Sequence, residues 1–365
     1  MLVILVVGAG PAGSLSAMLL GRENEVLIAE EHQSAGFPVQ CAGLISKECF
    51  SRYRKYCRIN KAVENEIKGA FFFSPSGNFF EARGEAFVVE RKVLDEMLLS
   101  KASEFAEVFV KTKVKFKGKK AVLGKREVDP DFIIGADGVC SEVARNFGFE
   151  RPNFYSAIQI EAKFEALDEK FVEIYLGKNY SDFFAYAIPI AETAKIGVIA
   201  KRNALSYLRN LIEKHPSVSK RIRGSVVELN SGLIPANLVD FVKGNVALVG
   251  DSAGMVKPYS GGGLFYLLIA AEKLAENFPN LEGYRRAFMK ELGREIRLGR
   301  KLRNLYGLED REVETIVNSL KDFDFSKLNM DKPSTILRWE NFLSILKLIL
   351  SNPSIAKFAL KVLRS

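Results

Sequence analysis

Gly8-Ala9-Gly10-Pro11-Ala12-Gly13 spaces three glycines as G-x-G-x-x-G directly after the apolar run Leu2 to Val7. That spacing serves a phosphate. The first glycine permits a tight turn, the second lets backbone approach a pyrophosphate, and the third lets a helix pack closely on a strand. The helix that follows presents its free N–H groups to the phosphates. Glu30 ends the next apolar run, about where a carboxylate accepts ribose hydroxyls, with Glu31 as the weaker candidate. Arg91 starts a later helix, Asp137-Gly138 follows a third apolar run, and Gly250-Asp251 follows a fourth. The last leads into Pro258-Tyr-Ser-Gly261-Gly262-Gly263, a glycine-rich turn before another helix.

The remaining composition points to chemistry borrowed from such a cofactor. Of the two histidines, His32 and His215, neither stands in a metal-ligand or triad pattern. The four cysteines, Cys41, Cys49, Cys57 and Cys140, form no C-x-x-C pair, so no zinc site or dithiol redox motif is expected. In a cytoplasmic chain, the expected compartment, they are reduced thiols. No apolar run reaches the ~18 residues of a membrane span. The net charge is +9, with the bases scattered and no aromatic residues interleaved along a basic stripe, which argues against nucleic acid. An anionic membrane surface or an acidic protein remains open as a partner.

These residues need elements to hold them. Leu2 to Val7, a helix from about Pro11 to Gly21, and Glu25 to Ala29 read as a βαβ opening. Segments 67–73 and 79–82, joined by Ser74-Pro-Ser-Gly77, read as a hairpin. Between about 155 and 235 the pattern changes to strand-like runs at 157–164, 171–176, 183–189, 194–200 and 225–229, with one helix near 203–214. The expected architecture is α/β. A Rossmann-type domain (1–66, 85–150 and 240–281) receives an inserted, mostly antiparallel sheet domain (67–84 and 151–239) and ends in a helical region (282–365). Apolar residues alternate with bases over 334–365, which suits either a lid packed on the sheet or helices lying at a lipid surface.

Taken in order, the segments at 8–13, 90–95, 135–145 and 249–263 resemble the flavoproteins typified by para-hydroxybenzoate hydroxylase, over about residues 1–280. The resemblance implies FAD. Asp251 would bind the ribityl chain, and Arg91 would contact the cofactor backbone. Asp137 and Gly138 would lie near the pyrophosphate, and Gly261 to Gly263 would open a helix facing the flavin pyrimidine. Within that group, Phe37-Pro38-Val-Gln-Cys41-Ala42-Gly43-Leu44-Ile-Ser46 and Phe184-Ala-Tyr186-Ala-Ile188-Pro189 are similar to segments of the geranylgeranyl reductase family. In the second segment Phe, Tyr and Ile replace that family's Tyr, Trp and Phe.

That family implies saturation of isoprenoid chains, including those of archaeal membrane lipids. Cys41 and Ala42 would lie near the flavin's reacting face, and Cys41 and Tyr186 are the catalytic candidates. Phe184, Tyr186 and Ile188 are the substrate-wall candidates. A second G-x-G-x-x-G after a strand is missing, so electrons would come from NAD(P)H docking transiently or from ferredoxin. Two other readings of the same fold stand: a monooxygenase or halogenase, and a prenyl-binding escort protein without flavin chemistry. The intact Gly8, Gly10, Gly13, Glu30 and Asp251 speak against the escort.

Overall fold

The computed structural model describes residues 1–38, 41–326 and 328–337. Its first layer is a six-stranded sheet in the order 242–243, 246–248, 132–135, 3–7, 25–29 and 107–109. Every neighbouring pair is parallel except the first. The strand Val3–Val7 sits centrally, with Ile4, Leu5 and Val6 fully buried in one core with residues of helices Pro11–Leu20 and Leu264–Asn277 and with Val114, Ala121 and Leu123. Helix Pro11–Leu20 begins with proline, whose missing N–H is no loss in a first turn. It packs against helix Leu264–Asn277.

The second layer is an eight-stranded sheet in the order 222–235, 154–164, 193–200, 184–190, 171–175, 63–73, 79–89 and 44–46. It is antiparallel except where 171–175 runs beside 63–73. One face packs beneath helix Ala204–Lys214 through Leu208, Leu211 and Val198. The other carries Ile67, Val172, Phe184, Tyr186 and Ile188. Both faces are thus apolar, and strand Phe184–Ile190 is buried almost throughout instead of alternating.

Two expectations are revised. The hairpin runs from Val63 to Val89 and takes in Leu44–Ser46 at its edge, so the sheet layer extends beyond 67–84. The polar residues Glu64, Glu66, Glu81, Arg83 and Glu85 hide the ends of these strands in the sequence. Past helices Leu281–Arg303 and Asp310–Ser319, the described residues from 321 to 332 are not helical. There, side chains satisfy nearby backbone: Asp324 accepts from Ser326 N at 2.9 Å, and Asn329 accepts from Asp331 N at 2.7 Å. The expected lipid-facing helices of 334–365 lie almost wholly outside the described residues.

A three-stranded antiparallel sheet, Val114–Lys117, Lys120–Leu123 and Arg126–Val128, stands beside the first layer. It buries Val114, Ala121, Leu123 and Val128 and turns its lysines outward.

Candidate functional site

One cavity of about 1270 Å³ runs between the two layers. It exceeds the ~300–1,000 Å³ usual for a single small-molecule site. Glycines and polar groups line one half, and apolar side chains line the other.

The glycine half begins at the first strand–helix turn. Gly8 has φ +94°, and a Cβ there would stand 2.4 Å from the Ala136 oxygen. A Cβ on Gly13 would stand 1.8 Å from the Gly8 oxygen, so the helix crosses the strand at backbone contact. Gly10 and Gly138 differ from these, since each faces open space in the cavity wall. That open cradle of bare backbone fits a pyrophosphate. Pro11 and Ala12 complete this wall.

The carboxylates divide into those held by the protein and one left free. Glu30 accepts from Ala9 N at 2.8 Å and from His32 N at 2.9 Å, so it braces the glycine turn while facing the cavity. His32, which shows no motif in the sequence, also places Nδ1 2.8 Å from Glu30 Oε1. Glu31 is exposed and pairs with Lys113 at 3.2 Å. Asp137 accepts from Ser141 Oγ and from the amides of Glu142 and Val143, capping helix Glu142–Asn146. Its carboxylate is committed to that cap, and Gly138 leaves bare backbone at the cavity. Burial raises the Asp137 pKa against those hydrogen bonds.

Asp251 accepts no hydrogen bond on its carboxylate among the described residues, although it lines the cavity. Burial pushes its pKa up to about 6, opposed by the charge of Arg91. A buried carboxylate without a donor fits a ligand that brings hydroxyls. Arg91 itself binds Asp95 in bidentate fashion, at 3.0 and 2.9 Å, and faces the Cys41 sulfur. An open glycine cradle, an orphaned acid and a helix N-terminus after Gly261 to Gly263 fit FAD.

Gly13 lies behind the wall, in the packing role its spacing implies, and Gly250 and Pro258 lie behind it too. Gly13 and Gly250 serve close packing, since a Cβ on Gly250 would meet Ala12 Cβ at 2.9 Å. Pro258 packs on helix 281–303, where a Cβ at Gly299 would approach it to 3.0 Å. Gly262 has a second reason to be glycine, because a Cβ there would stand 2.8 Å from Lys257 Cε.

At the junction of the halves stand Cys41, Ala42 and Tyr186. Gly43 N donates to Cys41 Sγ at 3.4 Å, and Gly43 itself has φ +82°. The Tyr186 ring lies across Gly197, where a Cβ would stand 2.5 Å away, and its hydroxyl donates to Gln159 Oε1 at 2.8 Å. Burial and the nearby Cys41 raise the Tyr186 pKa. Phe184 and Ile188, 8% and 4% exposed, continue the wall on the same face of the strand.

The apolar half ends against helix 310–319, where Val313, Ile316 and Leu320 face the hairpin. Phe72, Phe80 and Phe325 stack there with centroids 4.9 and 5.1 Å apart. Gln159, Gly197, Lys257 and this stack are absent from the sequence reading. Each gains its meaning from partners far away in the chain, with no local pattern to mark it.

No family model matches the chain. An uncharacterised protein of Methanocaldococcus jannaschii is 30% identical over 349 residues, 88% of each chain. The digeranylgeranylglycerophospholipid reductase of Methanococcus vannielii is 28% identical over 388 residues, 97% of this chain and 96% of that one. Among solved structures, a geranylgeranyl bacteriochlorophyll reductase-like protein from Thermoplasma acidophilum superposes with a TM-score of 0.83 at 22% identity, covering 99% of each chain. With near-complete coverage, a shared fold and a cavity that fits FAD, this chain belongs to the geranylgeranyl reductase family of FAD-dependent oxidoreductases.

Proposed function

We propose that the protein saturates the isoprenoid double bonds of membrane-lipid precursors. The observation that carries this reading is the continuity of the cavity: the wall that fits FAD opens, past Cys41 and Tyr186, into a chamber lined with Phe, Leu, Ile and Val. Apolar burial at ~25 cal/mol per Å² along that chamber suits a long hydrocarbon.

Reduced FAD supplies the hydride. The protein's own groups do the rest. Gly10 and Gly138 would receive the pyrophosphate, Asp251 would accept from the ribityl hydroxyls, and the helix opened by Gly261 to Gly263 would face developing negative charge. Phe184, Tyr186 and Ile188 hold the alkene and exclude water. The second carbon needs a proton. The Tyr186 hydroxyl is already donated to Gln159, so the Cys41 thiol, beside Arg91, is the group at the junction that holds it.

NAD(P)H or ferredoxin would supply the electrons, in keeping with the basic charge and the lack of a second dinucleotide turn in the sequence. The exposed lysines of the three-stranded sheet suit contact with an anionic membrane surface, where such a lipid resides. Among the described residues no helix is long and apolar enough to cross a membrane.

The test is anaerobic incubation of dithionite-reduced protein with a geranylgeranyl lipid, read by mass spectrometry for added pairs of hydrogens. Oxygen-dependent hydroxylation or halogenation of an aromatic compound, with no gain in lipid mass, would move the assignment to the monooxygenase reading.

A further inference from the structure

Lys257 and Asp331 form an ion pair inside the cavity wall that the steps above do not use. Their side chains are 5% and 1% exposed, with Nζ 2.8 Å from Oδ1. Ser46 donates to the other Asp331 oxygen. Both charged residues line the cavity together with Gly261, Gly262 and Gly263. The lysine is built into that glycine turn. Its amide donates to the Gly262 oxygen at 3.1 Å, and its carbonyl accepts from Gly261 N at 2.8 Å. Its ammonium lies 3.3 Å from where a Gly262 Cβ would stand. Glycine at 262 is what lets the side chain pass.

A buried ion pair adds little net stability, because desolvating both charges offsets their attraction. If the only need were to fasten residues 328–337, apolar contacts would serve. What the pair does supply is a fixed positive charge beside the first N–H groups of helix 264–277. The ammonium has three donors, and Asp331 is its one hydrogen-bond partner among the described residues. The rest of its field is directed at the wall that the helix N-terminus shares.

We infer that Lys257 sets the electrostatic potential felt by the flavin ring, and that Asp331 sets how much of that charge the ring receives. Reduction adds negative charge to the flavin, so a nearby cation favours the reduced form and a nearby anion opposes it. An alkene reductase needs a strong hydride donor, and a bare cation would weaken it. Asp331 keeps Lys257 nearly neutralised. The inference rests on FAD binding and not on the lipid substrate, so it is tested without one.

The experiment is the midpoint potential of the bound flavin, measured by dye equilibration on the full-length holoprotein. Asp331→Asn should shift the potential positive, Lys257→Met should shift it negative, and the double variant should return most of the way to wild type. Lys257→Arg, which keeps the charge, should stay close to wild type. A purely structural clamp would move both single variants in one direction or neither, and that result overturns the inference. Where Lys257→Met does not retain flavin, Asp331→Asn is compared with the double variant. A potential for Asp331→Asn no more positive than that of the double variant likewise overturns it.

Discussion

Asp251 carries a carboxylate into a wall that gives it nothing to accept from. Its pKa of about 6 is the direct consequence of burial. A ribityl hydroxyl donates more strongly to the ionised form than to the neutral acid, so FAD binding lowers that pKa, and FAD affinity should fall as pH drops through 6. The sign reverses for the FAD-free fold. A pKa raised above its unfolded value of about 4 means that the ionised group weakens the apoprotein at neutral pH, a penalty that fades as pH falls from 6 toward 4. Asp251→Asn should therefore raise the melting temperature of the apoprotein at pH 7. Asp251→Ala should weaken FAD binding by about 5- to 150-fold, the equivalent of one buried hydrogen bond, as read by flavin fluorescence titration.

Cys41 sits one step further along the cavity and should behave in the opposite way. Cys41→Ala should leave flavin content unchanged and slow lipid saturation by about 10²-fold or more, the contribution expected of a positioned proton donor. Full activity with an unchanged product pattern in that variant would remove Cys41 from the reaction.

At the scale of elements, three strands must agree before Tyr186 becomes a wall. Tyr186 lies opposite Gly197, and Gly197 lies opposite Gln159, so one ring spans three registered positions. Gln159→Leu strands the Tyr186 hydroxyl in a buried site and should cost about 1–3 kcal/mol, seen as a lower urea midpoint with an unchanged slope. Gly197→Ala drives a methyl into the ring and should cost about 1–3 kcal/mol as overpacking.

The strand itself was legible in the sequence, because a run as apolar as Phe184 to Pro189 must be buried on both faces. Its hydrogen-bond partner was not, since Gln159 lies 27 residues earlier with no local pattern linking them. The same division holds elsewhere. The βαβ opening reads directly from its apolar runs and glycines, whereas nothing local marks Pro258 as a support for helix 281–303. The glycine at 262 reads as room for a ligand until Lys257 is seen passing beneath it. A cavity wall also mixes residues from both layers, and only register and crossover decide which of them meet.

Across the whole molecule, charge is distributed less evenly than its scatter along the chain suggests. Residues 111–126 hold eight of the 53 bases and no acid, alternating as Lys-x-Lys. Alternation in a line becomes a patch once strands 114–117 and 120–123 lie side by side. Lys111, Lys115, Lys119 and Lys125 are exposed and form no ion pair among the described residues, while Lys120 and Arg126 are held by Glu127 and Glu107. Each lysine near an anionic bilayer contributes about 1 kcal/mol, so a cluster of four or five suffices for reversible attachment without any inserted helix.

The protein should therefore sediment with vesicles containing anionic phospholipid and stay in solution with zwitterionic ones. Binding should be lost in 1 M salt, where the screening length contracts to about 3 Å from about 8 Å at physiological ionic strength. Replacing Lys115, Lys119 and Lys125 together by Glu should weaken vesicle binding by at least about 10²-fold. Those residues face away from the cavity, so the flavin spectrum should not change. Equal sedimentation with neutral vesicles, or binding that survives the triple replacement, would mean that this patch is only a solvated face.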